Sequence, residues 1–207
     1  VMRSEANGVI GLVLAAGQAR RFGADKRLAR LSDGHGVLET TLRVAASVFS
    51  ELVLVLRSDD QLSDYRLPPD VRVVHAARAE HGMGASLAEG VAAIHSQSAR
   101  AIAVLLGDMP WISTATLAQL AQAATEDGIV QPCHMGRPGH PVLFGRQFWP
   151  QLRALDGDKG GSALIARHPT AHVLINVTDP GIHLDVDVPS DLASAPEPAG
   201  FHTPASA

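Results

Sequence analysis

The sequence predicts an α/β fold in one domain, built on a mostly parallel sheet. Three observations predict it. Short, almost wholly apolar runs recur at 9–14 (VIGLVL), 51–56 (ELVLVL) and 101–106 (AIAVLL), the pattern of strands buried on both faces. Segments with helical apolar spacing separate several of these runs, and strand–helix alternation is how a parallel sheet is wound. At 207 residues, 46% of them apolar and 18% charged, the chain can bury one good core.

Composition narrows the function. A net charge of -4 gives no electrostatic footprint for nucleic acid. The single cysteine, Cys133, excludes an intrachain disulfide framework and suits a reducing cytosol, so a cytoplasmic location is expected. No apolar run approaches the length of a membrane span. Residues 1–7 read as a disordered lead-in and 194–207, rich in proline and alanine, as a disordered tail, leaving 8–193 as the folded unit.

In chain order, the first strand, Val9 to Leu14, runs into Ala15, Ala16 and Gly17, then Arg20, Arg21 and Lys26. Small residues let another molecule approach the backbone, and fixed cations follow at once, which suits a polyphosphate. The alternative is a solvated basic turn. No GxxxxGK[ST] or GxGxxG pattern occurs. A helix is expected over Glu39–Phe49, a strand over Glu51–Leu56 and another over Val71–His75. His81 to Ser86 then lead a helix from Leu87 to Ile94, with Ser86 either capping it or meeting a ligand.

The strand Ala101–Leu106 ends in Gly107-Asp108-Met109-Pro110. Ligands in open α/β sheets bind beyond the carboxyl ends of strands. On the residues alone, Asp108 either holds a cation there or caps the helix that begins near Ser113. Further helices are expected over Thr114–Thr125, Phe148–Leu155 and Ala163–His168, with strands at Gly128–Pro132 and His172–Val177. Between them lies Gly136-Arg137-Pro138-Gly139-His140-Pro141-Val142, which reads as a hairpin carrying a surface histidine. Asp158 reads as a helix cap. In Ile182–Asp191 (IHLDVDVPSD), Asp185 and Asp187 alternate with apolar residues and share one face of an extended segment.

Five of these motifs, in this order, resemble the signatures of the MobA/MocA-like nucleotidyltransferases. Leu14 to Lys26 resembles LAAGxSxRMGxxK, with Ala19 in place of serine and Phe22 in place of methionine. The glycine–serine loop at 82–86, the GD-M-P run at 107–110, the G-H-P-V-L-F run at 139–144 and the D-x-D-x-P-x-D-L run at 185–192 complete the set. Residues 155–162 resemble a further pattern, L-x-G-D-x-G-A-R, in which Gly161 and Ser162 replace alanine and arginine and so remove a bidentate anion donor.

The resemblance implies a Rossmann-like three-layer sandwich of the nucleotide-diphospho-sugar transferase type. It implies that Leu14, Ala15, Ala16, Gly17, Arg21 and Lys26 hold a nucleoside triphosphate, with Gly84 and Ser86 near its base and ribose. It implies Mg²⁺ on Asp108 and Asp187, Asp185 being the weaker candidate, and catalysis by Lys26, Arg21 and Asp108. Gly139, His140 and Asp158 would line the acceptor side. The implied reaction is CMP transfer from CTP to a molybdopterin-type cofactor, with a molybdoenzyme or its chaperone downstream. The rival within the family is a guanylyltransferase using GTP, which usually carries LAGG where this chain has Leu14-Ala15-Ala16-Gly17. An oxidoreductase or a cofactor-handling accessory protein is the alternative from another class.

Overall fold

The computed structural model describes residues 8–17, 25–94 and 98–193. Arg21 and the expected lead-in and tail lie outside the described residues. Among the described residues, eight strands form one sheet: β1 (Val9–Leu14), β2 (Glu51–Arg57), β3 (Val71–Ala76), β4 (Ala101–Leu106), β5 (Ile129–His134), β6 (Arg137–Pro138), β7 (Val142–Gly145) and β8 (His172–Asn176). Their order is β3-β2-β1-β4-β7-β5-β6, and β8 pairs with β5. The pairs β1–β2, β1–β4, β2–β3 and β5–β8 are parallel, whereas β7 runs antiparallel to both β4 and β5.

Side-chain alternation along the central strands explains the three layers. On β1, Val9 and Val13 enter one core while Ile10, Leu12 and Leu14 enter the other. On β4, Ala101, Ala103 and Leu105 share the first core, and Ile102 and Val104 the second. The first core is closed by α1 (Val37–Val48) and α3 (Thr114–Ala123) through Leu38, Leu42, Leu117 and Leu120. The second is closed by α2 (Met83–Ala92), α4 (Trp149–Arg153) and α5 (Ser162–Arg167) through Leu87, Val91, Leu152 and Leu164. Strands covered on both faces have no polar side, which is why their sequences are continuous apolar runs.

Two local expectations are corrected, and a third segment is placed. α2 begins at Met83, not after Ser86, because Gly82 adopts φ 116 and serves as its N-cap. Ser86 therefore sits inside the helix, its hydroxyl donating back to the Gly82 carbonyl at 3.3 Å. Asp158 caps no helix, since α5 starts from Gly161. The segment around Asp185 is not part of a strand. It is a link outside the sheet, between the 3₁₀ turns Pro180–His183 and Pro189–Ala193.

Candidate active site

β1 and β4 are parallel neighbours, so their carboxyl ends meet at one edge of the sheet. The helix after β1 covers one face and the helix before β4 covers the other. This is a topological switch point, where a crevice opens beyond the strand ends. The Gly107 amide donates to the Leu14 carbonyl at 2.9 Å and keeps the two exits together. Beyond them lies a cleft of about 390 Å³, walled by Leu14 to Gly17 on one side and by Gly82, Met83 and Ser86 on the other. Lys26, Asp108 and Asp158 also line it.

Asp108 stands at the head of β4, and its own carbonyl accepts a hydrogen bond from the Val186 amide at 2.9 Å. The Val186 side chain is fully buried against Leu31 and Val37. That buried knob fixes the link, so the residues on either side of it, Asp185 and Asp187, both face Asp108. Oxygens of the three carboxylates lie within 4.8 Å of one another. Asp191 secures the turn by accepting from the Asp187 and Val188 amides, each at 2.9 Å. Sequence alternation foretold the pairing of Asp185 with Asp187. The family resemblance ranks Asp185 below Asp187, and both belong to the same cluster with Asp108.

Lys26 supplies the opposing charge. Its Nζ lies 2.7 Å from Asp108 Oδ2 and 3.0 Å from Asp187 Oδ1. Burial alone would pull this ammonium down, but hydrogen bonds and charge from Asp108, then Asp187, hold it above its ordinary value. Burial pushes the Asp185 carboxyl up, and the neighbouring charges of Asp187 and Asp108 push it further. Asp108 Oδ1 is buried and has no hydrogen-bond partner among the described residues. An orphaned carboxylate oxygen beside two more carboxylates is a donor set for a hard divalent cation such as Mg²⁺ or Mn²⁺. The residues therefore fit the metal.

The residues expected on the acceptor side divide. Asp158 lines the cleft beside Gly82, whereas Gly139 and His140 are not among its lining residues, and His140 is close enough to Asp108 and Asp185 to feel their charges. The His140 amide donates to the Ile182 carbonyl at 3.0 Å, and a side chain on Gly139 would strike that carbonyl and the Ile182 side chain. Burial pulls the His140 imidazole down, against the charges of Asp108 and Asp185. Its Nδ1 is buried without a partner among the described residues. Gly84 is not a lining residue. Its amide donates to the Gly157 carbonyl at 2.7 Å, and a Cβ there would sit 2.7 Å from that oxygen. Gly84 thus seats the 156–158 loop on α2. Gly84→Val is expected to cost about 1–3 kcal/mol of unfolding free energy, measured by denaturant titration. An unchanged midpoint would contradict this packing role.

The family domain described as MobA-like NTP transferase matches residues 11–173. The chain belongs to that family. It is a nucleotidyltransferase. Among relatives of this MobA-like chain, the purine catabolism protein PucB of Bacillus subtilis (strain 168) is 31% identical, over 88% of this chain and 93% of that protein. The molybdenum cofactor cytidylyltransferase of Escherichia coli (strain K12) is 25% identical, over 90% and 94%. Rv0371c from Mycobacterium tuberculosis H37Rv, a solved structure, is 32% identical with a TM-score of 0.75, covering 90% of this chain and 96% of that one. A crystal structure of the same Mycobacterium protein is a complex with manganese, at 29% identity and a TM-score of 0.69, covering 88% and 94%. Among the described residues, no helix is long and apolar enough to cross a membrane.

Proposed function

We propose that this MobA-like chain transfers CMP from CTP to the terminal phosphate of a molybdopterin-type cofactor and releases pyrophosphate. The observation that carries the reading is the position of Asp108, which belongs both to the cleft and to the three-carboxylate cluster. In this reading the nucleotide lies in the cleft, and the acceptor approaches from the side of Asp185, Asp187 and His140. An acceptor phosphate oxygen attacks the α-phosphorus in line. The bond to the β-phosphate oxygen breaks, and its electron pair leaves with pyrophosphate. Because the acceptor brings its own oxyanion, no protein nucleophile is required.

The chain's residues manage charge. Lys26 places one fixed positive charge against carboxylates that would otherwise repel both anionic substrates. Arg21 is assigned to the leaving pyrophosphate, together with the amides of Ala15 to Gly17. Gly82, Met83 and Ser86 flank the base and ribose. His140 excludes water at the rim. Asp108, Asp185 and Asp187 would hold Mg²⁺, which when bound supplies Lewis-acid neutralisation of the phosphoryl oxygens.

Ala16 supports CTP over GTP, since the guanylyl type carries glycine there. Its methyl group is buried in the second core and narrows the loop beside the cleft. A cytoplasmic setting, supported by the buried free thiol of Cys133, and delivery of the product to a molybdoenzyme or its chaperone belong to the same proposal.

The test is pyrophosphate release with Mg²⁺, supplying CTP, GTP, ATP and UTP separately with molybdopterin or its molybdenum form. Release with CTP alone is the expected result. Preference for GTP would keep the chemistry and overturn the base assignment. No release with any nucleotide, from folded protein, would overturn the acceptor. PucB is named for purine catabolism, so that last outcome would direct attention to acceptors from other routes.

A further inference from the structure

Arg27 lines the cleft one residue after Lys26 and reads naturally as another cation for phosphate. Its surroundings say otherwise. The residue is 5% exposed, and all five guanidinium N–H donors are spent inside the protein. Nε donates to Asp25 Oδ1 at 2.8 Å. Nη1 donates to the Ala15 carbonyl at 2.7 Å and to Asp60 Oδ2 at 2.6 Å. Nη2 donates to Asp25 Oδ2 at 2.6 Å and to Asp60 Oδ1 at 2.7 Å. The guanidinium also lies over the Tyr65 ring, 5.3 Å from its centroid. Two carboxylates more than offset its charge, so no donor and no surplus positive charge remain for a ligand.

The partners lie at informative places. Ala15 opens the stretch after β1, and Asp25 closes it just ahead of Lys26. Asp60 follows β2 and is anchored independently by the Arg57 amide at 2.8 Å. One side chain thus ties both ends of the 15–25 stretch to the turn after β2. Burial would raise the carboxyls of Asp60 and Asp25, but hydrogen bonds from Arg27 outweigh it and hold both below the ordinary value.

We infer that Arg27 is a positioning residue: it fixes the Ala15–Gly17 backbone and the register of Lys26 for the nucleotide without touching the nucleotide. The inference rests on the proposed reaction only for the word nucleotide; the clamp itself is independent of it. Arg27→Lys is the informative substitution. Lysine keeps the charge but has three donors and no planar fork, so it cannot span both carboxylates and the carbonyl.

Two readouts are needed. Amide hydrogen exchange on ligand-free protein is expected to show about tenfold faster exchange in R27K at Ala15 and at Leu28–Ala29, with β1 and β4 unchanged. Steady-state kinetics well below the melting temperature are expected to show nucleotide KM raised about tenfold, the scale for residues that orient ligating groups, with acceptor KM unchanged. Unchanged exchange overturns the clamp. Faster exchange with unchanged nucleotide KM overturns the positioning role and leaves a structural one. If R27K does not fold, Asp25→Asn weakens the same clamp at a partly exposed carboxylate and is held to the same two readouts. Should the parent protein turn over no nucleotide while exchange behaves as expected, the clamp stands and the proposed reaction falls.

Discussion

Asp108→Asn is expected to lower kcat about a thousandfold, the upper range for removing one preorganised electrostatic contact at a reacting centre. The substitution is nearly isosteric. It keeps the main-chain hydrogen bond from Val186 and the packing of Met109. What it removes is the charge on a buried carboxylate oxygen that has no partner among the described residues, together with the ion pair to Lys26 at 2.7 Å. The loss of that pair is offset by relief of repulsion from Asp185 and Asp187, so the unfolding free energy should stay within about 1 kcal/mol of the parent. Binding of Mn²⁺, followed by calorimetry, should weaken in parallel with turnover. Normal turnover by D108N would sink the assignment of this carboxylate to the metal and to catalysis.

Lys26→Met is expected to lower kcat/KM for the nucleotide about a hundredfold. Methionine retains an apolar stem of similar length, so packing changes little. The ammonium that lies 2.7 Å from Asp108 and 3.0 Å from Asp187 is lost, and three clustered carboxylates then face the incoming triphosphate without a fixed counter-charge. Mn²⁺ should bind K26M at least as tightly as the parent, because a competing cation has gone. This separates two roles. If Lys26 merely fills the ion site when no metal is bound, K26M keeps its activity at saturating metal. If it orients phosphate, added metal does not restore the rate. Lys26→Arg is not expected to rescue, since a planar fork does not replace a compact ammonium between two carboxylates.

The parts of the fold carried by local pattern were readable from sequence. The runs at 9–14 and 101–106 are apolar because both faces are covered, and that is visible one residue at a time. The same holds for Asp108 at a strand exit and for the alternation of Asp185 and Asp187 around Val186. What sequence did not show depends on distant partners. Nothing local to Val142–Gly145 says that β7 inserts antiparallel between β4 and β5. Ser86 looked like a cap because the glycine before it also looked like loop, yet Gly84 is helical and held by a carbonyl from the 156–158 loop. Asp158 belongs in sequence with the motifs of the acceptor side, and the same contact brings it to the cleft that Lys26 and Asp108 line. Arg27 was passed over beside Lys26, since its meaning lies in Asp60 and Ala15.

The hydrogen bond from the Val186 amide to the Asp108 carbonyl has a consequence for biosynthesis. Every strand of the sheet precedes Val177, and the cleft walls are complete by Asp158. The residues that wall the cleft are therefore all translated before those that finish the acidic cluster. Only when 184–188 emerges and Val186 drops into its socket do Asp185 and Asp187 join Asp108. The carboxylates that complete the acidic cluster are thus the last part of the site to be synthesised.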